Sequence, residues 1–416
     1  MKKIVLLLAA ACTFVLASAE DKPYHFKPYG FIRNYAFFDT RATKSLAEDV
    51  FFFVPLDEKM VNGNDVNAVS SFNYQAITTR LGLDILGYQV GSTKINGKIE
   101  ADFYCLNSNG NTGTLRMRQA YVDLLWDELG KNGNTDLSLR IGQSWHPLAA
   151  DMPNMINLET GAPFSPFNRS AQLMFNATFN KKLTFTAGIL EQLQYRSAGP
   201  AGSTNKYQRH AIPEVYAGVS YKNGGFLGRV GASMLSIRPQ YGYDATTGKK
   251  YDEWFTTFNP FVFLQYSKGR FQVKAKSTYA QSGEHMQLNG GYAVCGTKAD
   301  GISHEYTPLT STVNFISAQY GKKLQVLGMV GYMKSLGSYK DITGPVYFSG
   351  NGFQAIEQMF RVTPTLLYNL GKMQFGIEYD LTSCRYGDTF SSKGIPTDNL
   401  HWVTNHRVLV MAKFNW

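Results

Sequence analysis

Val408-Leu409-Val410-Met411-Ala412-Lys413-Phe414-Asn415-Trp416 closes the chain on a strand-like alternation. Val408, Val410, Ala412, Phe414 and Trp416 are apolar, while Leu409, Met411, Lys413 and Asn415 are mixed. A strand with one apolar face that ends on an aromatic ring suits a transmembrane β-barrel. One face meets lipid, the other a wet lumen, and the ring sits at the membrane-water boundary. A soluble amphipathic strand has the same local pattern, so its recurrence along the chain decides the fold.

It does recur. Reading back from Trp416, an aromatic residue followed by a short polar or glycine-bearing turn stands at Tyr368, Tyr320, Tyr266, Tyr221 and Phe179, at intervals of 42 to 54 residues, and less regularly at Trp126 and Tyr88. Each interval suits two strands of about ten residues and one long loop. Between the marks, segments 42–72, 105–114, 146–170, 196–211, 238–254, 282–306, 335–357 and 384–401 are polar, rich in Gly, Asn and Ser, and mostly long. Short turns at one end and long loops at the other are the asymmetry of outer-membrane barrels, with the short side periplasmic. Eight marks, each closing a descending strand, predict an all-β fold: a transmembrane antiparallel β-barrel of about 16 strands with short periplasmic turns and long extracellular loops.

The other terminus agrees. Lys2 and Lys3, the apolar run 4–17 and Ala17-Ser18-Ala19 have the layout of a cleaved signal peptide over 1–19, leaving a short periplasmic segment 20–28 and a single barrel domain 29–416. Cys12 lacks the leucine three positions upstream that a lipid-attachment box needs. No later window approaches the eighteen or so apolar residues of a membrane-spanning helix. Charged residues make up 17% and aromatic residues 14% of the chain, a balance that suits strands apolar on only one face. Cys105, Cys295 and Cys384 form an odd set without CxxC spacing, so neither a disulfide framework nor a zinc site is expected. At most one pair closes, and the sequence leaves open whether Cys295 and Cys384 do so. No metal or cofactor is called for.

Several ascending strands show period-two alternation with their charges on one face. Lys94, Asn96, Lys98, Glu100 and Asp102 interleave with Ile95, Gly97, Ile99, Ala101 and Phe103, and Gln272, Lys274 and Lys276 with Phe271, Val273 and Ala275. Two strands break the rule. Tyr88 falls out of phase with Leu81, Leu83 and Ile85, and the parity of Trp126 turns Arg116 and Arg118 outward; a bulge or burial between subunits accounts for either.

Parity read from the regular strands turns Arg33, Arg41, Arg80, Lys98, Arg140, Arg196, Arg229, Lys274, Lys276, Arg361, Arg407 and Lys413 inward, against Asp84, Glu100, Asp102, Asp123, Glu214, Glu378 and Asp380. The basic excess predicts a lumen that attracts anions, because a low-dielectric wall focuses the field into the bore. The segment 146–170 carries four prolines and many apolar residues, with Asp151, Glu159 and Arg169 spaced along it. An apolar, proline-stiffened loop is expected to fold inward and narrow the bore. Packing of that loop on a neighbouring subunit is the alternative.

Other classes fit poorly. There is no GxSxG or HExxH and the seven histidines are scattered, so no catalytic residue is proposed. A plug-bearing transporter needs a larger chain. The basic balance of +10 comes without a basic patch interleaved with aromatics, so nucleic acid is not an expected partner. A surface-binding or adhesive barrel acting through long loops such as 42–72 and 282–306 remains the competing reading.

Gly30-Phe31-Ile32-Arg33, Phe38-Asp39-Thr40-Arg41, Arg80-Leu81-Gly82, residues 97–103, Leu115-Arg116-Met117-Arg118-Gln119-Ala120-Tyr121-Val122 and Gly142-Gln143-Ser144-Trp145 resemble the DcaP-like porins of Gram-negative outer membranes. The resemblance covers residues 30–170, about a third of the chain. It implies a homotrimer of sixteen-stranded barrels in the cell outer membrane that passes small anionic solutes, dicarboxylates among them, past a basic constriction. On the matched motifs it makes Arg33, Arg41, Arg80, Lys98 and Arg140 the anion-contacting wall, to which parity adds Arg229, Lys274 and Lys276. Members of that family often carry an N-terminal helical segment, for which residues 20–28 leave no room. Expected partners are outer-membrane lipid, lipopolysaccharide and the barrel-assembly machinery, the last through the strand ending at Trp416. Deleting residues 414–416 should therefore impair outer-membrane insertion, measured by fractionation and heat-modifiable gel mobility; normal assembly would reduce Trp416 to a local packing residue.

Overall fold

The computed structural model describes residues 24–46, 49–106, 113–130, 132–191, 197–200, 202–204, 212–348 and 353–416; the expected signal peptide and Arg196 lie outside them. Sixteen antiparallel strands form one sheet, each paired with its neighbours in the chain. They are β1 His25–Asp39, β2 in two pieces Ser71–Gln75 and Arg80–Val90, β3 Thr93–Leu106, β4 Gly113–Leu129, β5 Thr135–Trp145, β6 Arg169–Phe179, β7 Leu183–Glu191 and β8 Glu214–Asn223. The second half comprises β9 Phe226–Ile237, β10 Phe255–Lys268, β11 Phe271–Gln281, β12 Thr310–Gly321, β13 Leu324–Gly337, β14 Ile356–Leu370, β15 Met373–Tyr386 and β16 His401–Asn415. β1 starts four residues before the expected barrel boundary at residue 29, because His25 already pairs with Leu86.

The sheet closes where β1 meets β16, in register from Phe31 opposite Asn415 to Asp39 opposite Arg407. Closure leaves no strand edge, which lipid demands because it offers no partner to a bare N–H or C=O. Every aromatic mark from Tyr88 to Tyr368 lies at or near the end of an even-numbered strand, and Trp416 directly follows the last one. Four of the turns that follow are only two residues long and open on Gly91, Gly224, Gly269 or Gly371 at φ 56–62°. That left-handed backbone fits the twist of a tight hairpin and costs glycine least.

Bulges resolve both strands that broke parity. Between Ile85, opposite Gly97, and Tyr88, opposite Ile95, β2 holds one extra residue, with Gly87 at φ 89°. On β4, Glu100 faces Gln119 but Ala101 faces Met117, so Arg118 is the added residue. Leu115 and Met117 then face outward at 60% and 52% exposure, while Arg116 and Arg118 turn inward. Gln143 Nε2 donates to the carbonyls of Met117 and Arg118 at 3.2 and 3.1 Å, satisfying acceptors beside the bulge.

The lumen is not a uniformly wet bore. Leu409 and Met411, the apolar members of the mixed face of β16, are buried against an apolar core built from loops that fold inward. The 146–168 loop supplies Leu148, Met155, Ile156, Leu158, Phe164 and Phe167 to it. Phe51–Pro55 is buried along its whole length, and so are residues 283–294. Segments 42–72 and 282–306, which an adhesive reading would need at the surface, are therefore partly interior. Each buried phenylalanine contributes about 1.5–3 kcal/mol relative to exposure. Cys295 and Cys384 are both free.

Phe164 sits tightly on β13: a Cβ at Gly331 would lie 2.4 Å from its Cγ. Gly331→Ala should displace Phe164 and destabilise the loop by about 1–3 kcal/mol. Thermal melting monitored by near-ultraviolet circular dichroism should shift down while the sheet signal at 25 °C is retained.

Candidate functional site

Loop 146–168 is tied to the wall at many points. His146 Nε2 meets Glu214 Oε1 at 3.0 Å while its Nδ1 accepts from Leu148 N at 3.1 Å. Lys276 donates to the Leu148 carbonyl and, at 3.3 Å, to that of Asp151. Asn154 N donates to Ser317 Oγ at 3.1 Å. Glu378 accepts from Ile156 N at 2.8 Å and Asn157 N at 3.0 Å; Tyr35 donates to the Ile156 carbonyl at 2.7 Å and accepts from Leu158 N at 3.0 Å. Arg361 donates to the Ala162 carbonyl at 2.8 Å. The polar wall positions thus take up the backbone groups of an irregular segment that would be costly to bury unpaired.

The first four strands and β16 carry a charged row. Arg80 on β2 lies opposite Asp102 on β3, and Asp102 opposite Arg116 on β4. Arg116 binds Asp102 through two bonds of 3.0 Å, and Arg118 reaches Glu100 and Asp102 at 2.7 Å each. Arg80 stands 3.8 Å from Glu100. Arg33 on β1 lies directly opposite Lys413 on β16. Arg33, Arg80 and Lys413 all stand over the ring of Phe31, at 4.9, 4.8 and 4.4 Å from its centre, an arrangement that spreads cation–π attraction over like charges. The β2 ladder breaks at residues 76–79, and there Arg33 uses Thr79 Oγ1 for its backbone N–H at 3.3 Å and Thr78 Oγ1 for its guanidinium.

These side chains border a cavity of about 360 Å³. Arg33, Arg80, Arg116, Arg118 and Lys274 line it together with Tyr104, Trp145 and Phe167, and Glu159 is the one carboxylate among its lining residues. Leu158 and Glu159 have φ of 52° and 58°, a left-handed backbone costing on the order of 1–2 kcal/mol per non-glycine residue. Glu159 meets Arg33 at 3.4 Å and Lys413 at 3.0 Å. Burial pushes its carboxyl up, but Arg33 and Lys413 outweigh burial and hold it at about 2, so it is charged at neutral pH.

A second cavity of about 330 Å³ shares Trp145 and Ala150 with the first and is lined by Arg140 and Arg229. Arg140 is held bidentately by Asp123 at 2.8 and 2.9 Å, and Arg229 by Asp151 at 3.1 Å.

The expected wall residues therefore divide. Arg33, Arg80 and Lys274 reach the first cavity, and Arg140 and Arg229 the second. Lys98 is neutralised by Asp84 at 2.6 Å and donates to Tyr29 at 2.9 Å. Lys276 is buried as a loop anchor. Arg41 is a correction: it follows the end of β1 and binds Asp65 at 2.6 Å and the Leu56 carbonyl at 2.7 Å, organising its own loop and lining neither cavity. Of the loop residues, Asp151 and Glu159 reach into the cavities' charge pattern, whereas Arg169 is buried against Trp145 and Phe167, 5.0 and 5.2 Å from their ring centres. Arg116 and Arg118 were hidden by the bulge; the run Leu115-Arg116-Met117-Arg118-Gln119, with two polar residues in succession, is its sequence trace.

Residues 13–140 match the family model described as DcaP outer membrane protein. Among solved structures, the outer membrane channel DcaP of Acinetobacter baumannii is 18% identical, with a TM-score of 0.64 over 96% of this chain and 100% of that one. The anion-selective porin of Comamonas acidovorans is 11% identical, with a TM-score of 0.56 over 95% and 100%. OmpT of Vibrio cholerae is 12% identical, with a TM-score of 0.51 over 97% and 100%. No curated protein sequence matches the chain. The chain is thus similar to DcaP outer membrane proteins over its N-terminal third and has the fold of outer-membrane porins along nearly its whole length.

Proposed function

We propose that this barrel gives passive passage to small hydrophilic anions, and that solutes meet their selective contacts in the cavity between Arg33, Arg80, Arg116, Arg118 and Lys274. The observation that carries this reading is that five cations converge on one cavity whose lining holds a single carboxylate. Glu100 and Asp102 lie behind the arginines and offset part of their charge, but the cations remain in excess. Enclosure by loop 146–168 and the barrel wall keeps the dielectric low and strengthens that field. A carboxylate is the matching ligand, since guanidinium groups bind it in a forked, charge-assisted geometry. Dicarboxylate-like solutes follow from the family resemblance alone.

The same resemblance supports a homotrimer in the outer membrane, exported through residues 1–19, surrounded by lipid and lipopolysaccharide and assembled through the strand that ends at Trp416. Outward Val408, Val410, Phe414 and Trp416, each at least 38% exposed, supply an apolar band suited to lipid or a neighbouring subunit.

In a planar bilayer under a potassium chloride gradient at low ionic strength, the reversal potential should show anion preference. Lys274 hydrogen-bonds to the Met152 carbonyl at 3.0 Å, so Lys274→Gln removes a cation without stranding a bonded carboxylate. It should lower the anion-to-cation permeability ratio by about two- to threefold. A cation-preferring wild-type channel would overturn the proposal.

A further inference from the structure

On the outside of the barrel the last four strands carry a polar row above an apolar face. Register sets Lys334 on β13 opposite Gln358 on β14, Gln358 opposite Arg385 on β15, and Arg385 opposite Trp402 on β16. Four residues lower, the same outward ladder reads Val330, Val362 and Leu381. Glu357 is an inserted residue, because Ile356 faces Tyr386 while Gln358 faces Arg385. Its largely buried carboxylate lies 3.9 Å from Lys334 Nζ and 3.8 Å from Arg385 Nη1. Two cations, 47% and 34% exposed, thus converge over β14 on one carboxylate that neither approaches to hydrogen-bond distance.

The height of the row matches a membrane boundary. Lys334 stands ten residues beyond Leu324, the first residue of β13. At about 3.3 Å per residue and a tilt of about 40°, that is on the order of 25 Å, the full height of an outer-membrane apolar band. Trp402 packs edge-on against Phe360, ring centres 5.5 Å apart, in the manner of an aromatic girdle at that boundary.

We propose that Lys334 and Arg385 clamp a phosphate of lipid A, the phosphorylated glycolipid of the extracellular leaflet, whose acyl chains lie along Val330, Val362 and Leu381. The excess of positive charge suits an anionic headgroup, and cations at that level avoid the cost they would carry in hydrocarbon. Gln358 accepts the Tyr332 hydroxyl on Oε1 at 2.8 Å and keeps Nε2 as a donor for a sugar oxygen. Phosphatidylglycerol, the competing anionic lipid, brings a phosphate without a rigid sugar. This surface lies outside the barrel, so the proposal is independent of anion passage and shares with it only the outer-membrane orientation.

Native mass spectrometry of the full barrel in detergent tests it by titration with diphosphoryl lipid A, its dephosphorylated form and phosphatidylglycerol. For the unaltered protein, the half-saturating concentration of diphosphoryl lipid A should lie at least about tenfold below that of either other lipid. Lys334→Gln combined with Arg385→Gln should cancel that advantage to within about twofold, whereas Lys268→Gln, at the opposite rim, should keep it. Gln358→Glu retains an acceptor for Tyr332 but adds a carboxylate between the cations, so it alone should weaken lipid A binding. That variant also serves if the double variant assembles poorly. The proposal is overturned if the double variant or Gln358→Glu binds diphosphoryl lipid A as tightly as the unaltered protein. It is equally overturned if the dephosphorylated lipid or phosphatidylglycerol binds the unaltered protein as well as diphosphoryl lipid A does.

Discussion

Everything else in this molecule depends on the seam between β1 and β16. A sheet in lipid cannot leave an edge, so the first and last strands have to meet in register, and nine residue pairs from Phe31–Asn415 to Asp39–Arg407 do so. Inside the barrel the seam is strengthened by Asp39, which takes Arg407 bidentately at 2.8 and 2.7 Å with both groups buried. The same register sets Arg33 beside Lys413. Closure thus sets Arg33, which lines the first cavity, directly opposite Lys413, and Glu159 pairs with both.

The second determinant is what fills the bore. An inward loop has to satisfy its own backbone, and loop 146–168 does so on wall groups spread from β11 through β15 to β1: Lys276, Ser317, Arg361, Glu378 and Tyr35. Several inward polar residues are therefore structural ligands of the loop. Phe53 offers a parallel case, with its ring 3.5 Å from the guanidinium carbon of Arg361 and 4.2 Å from that of Arg407. The lumenal charges consequently fall into two groups. Some hold loops in place, and a smaller set faces the cavities where solute contacts are possible.

Much of the fold was legible because membrane barrels repeat one physical rule. The aromatic marks from Tyr88 to Trp416 and the polar segments between them follow from lipid thickness and hairpin chemistry, and the strand ends fall where those rules place them. Parity failed only where a bulge shifts phase, at residues 86–87 and at Arg118, since an inserted residue leaves composition unchanged and reverses every side chain beyond it. The mixed face of β16 was ambiguous for a different reason: Leu409 and Met411 point inward as a parity count requires, but into an apolar core supplied by distant loops. Phe51–Pro55 and residues 283–294 gave no periodic signal of inward folding, because their partners are far apart in the chain. The prolines and apolar residues of 146–170 did carry such a signal. Arg41 was misplaced because its partner Asp65 lies in the same loop, beyond what strand parity describes.

The central claim is that the cavity walled by Arg33, Arg80, Arg116, Arg118 and Lys274 is where an anionic solute binds on its way through the barrel. The most direct measurement is a crystal structure soaked with 3-bromopropionate, with the bromine located by anomalous scattering. The account predicts a bromine peak within that cavity and the carboxylate turned toward Arg80 and Arg118. A map with bromine bound elsewhere along the lumen and none in this cavity would contradict it.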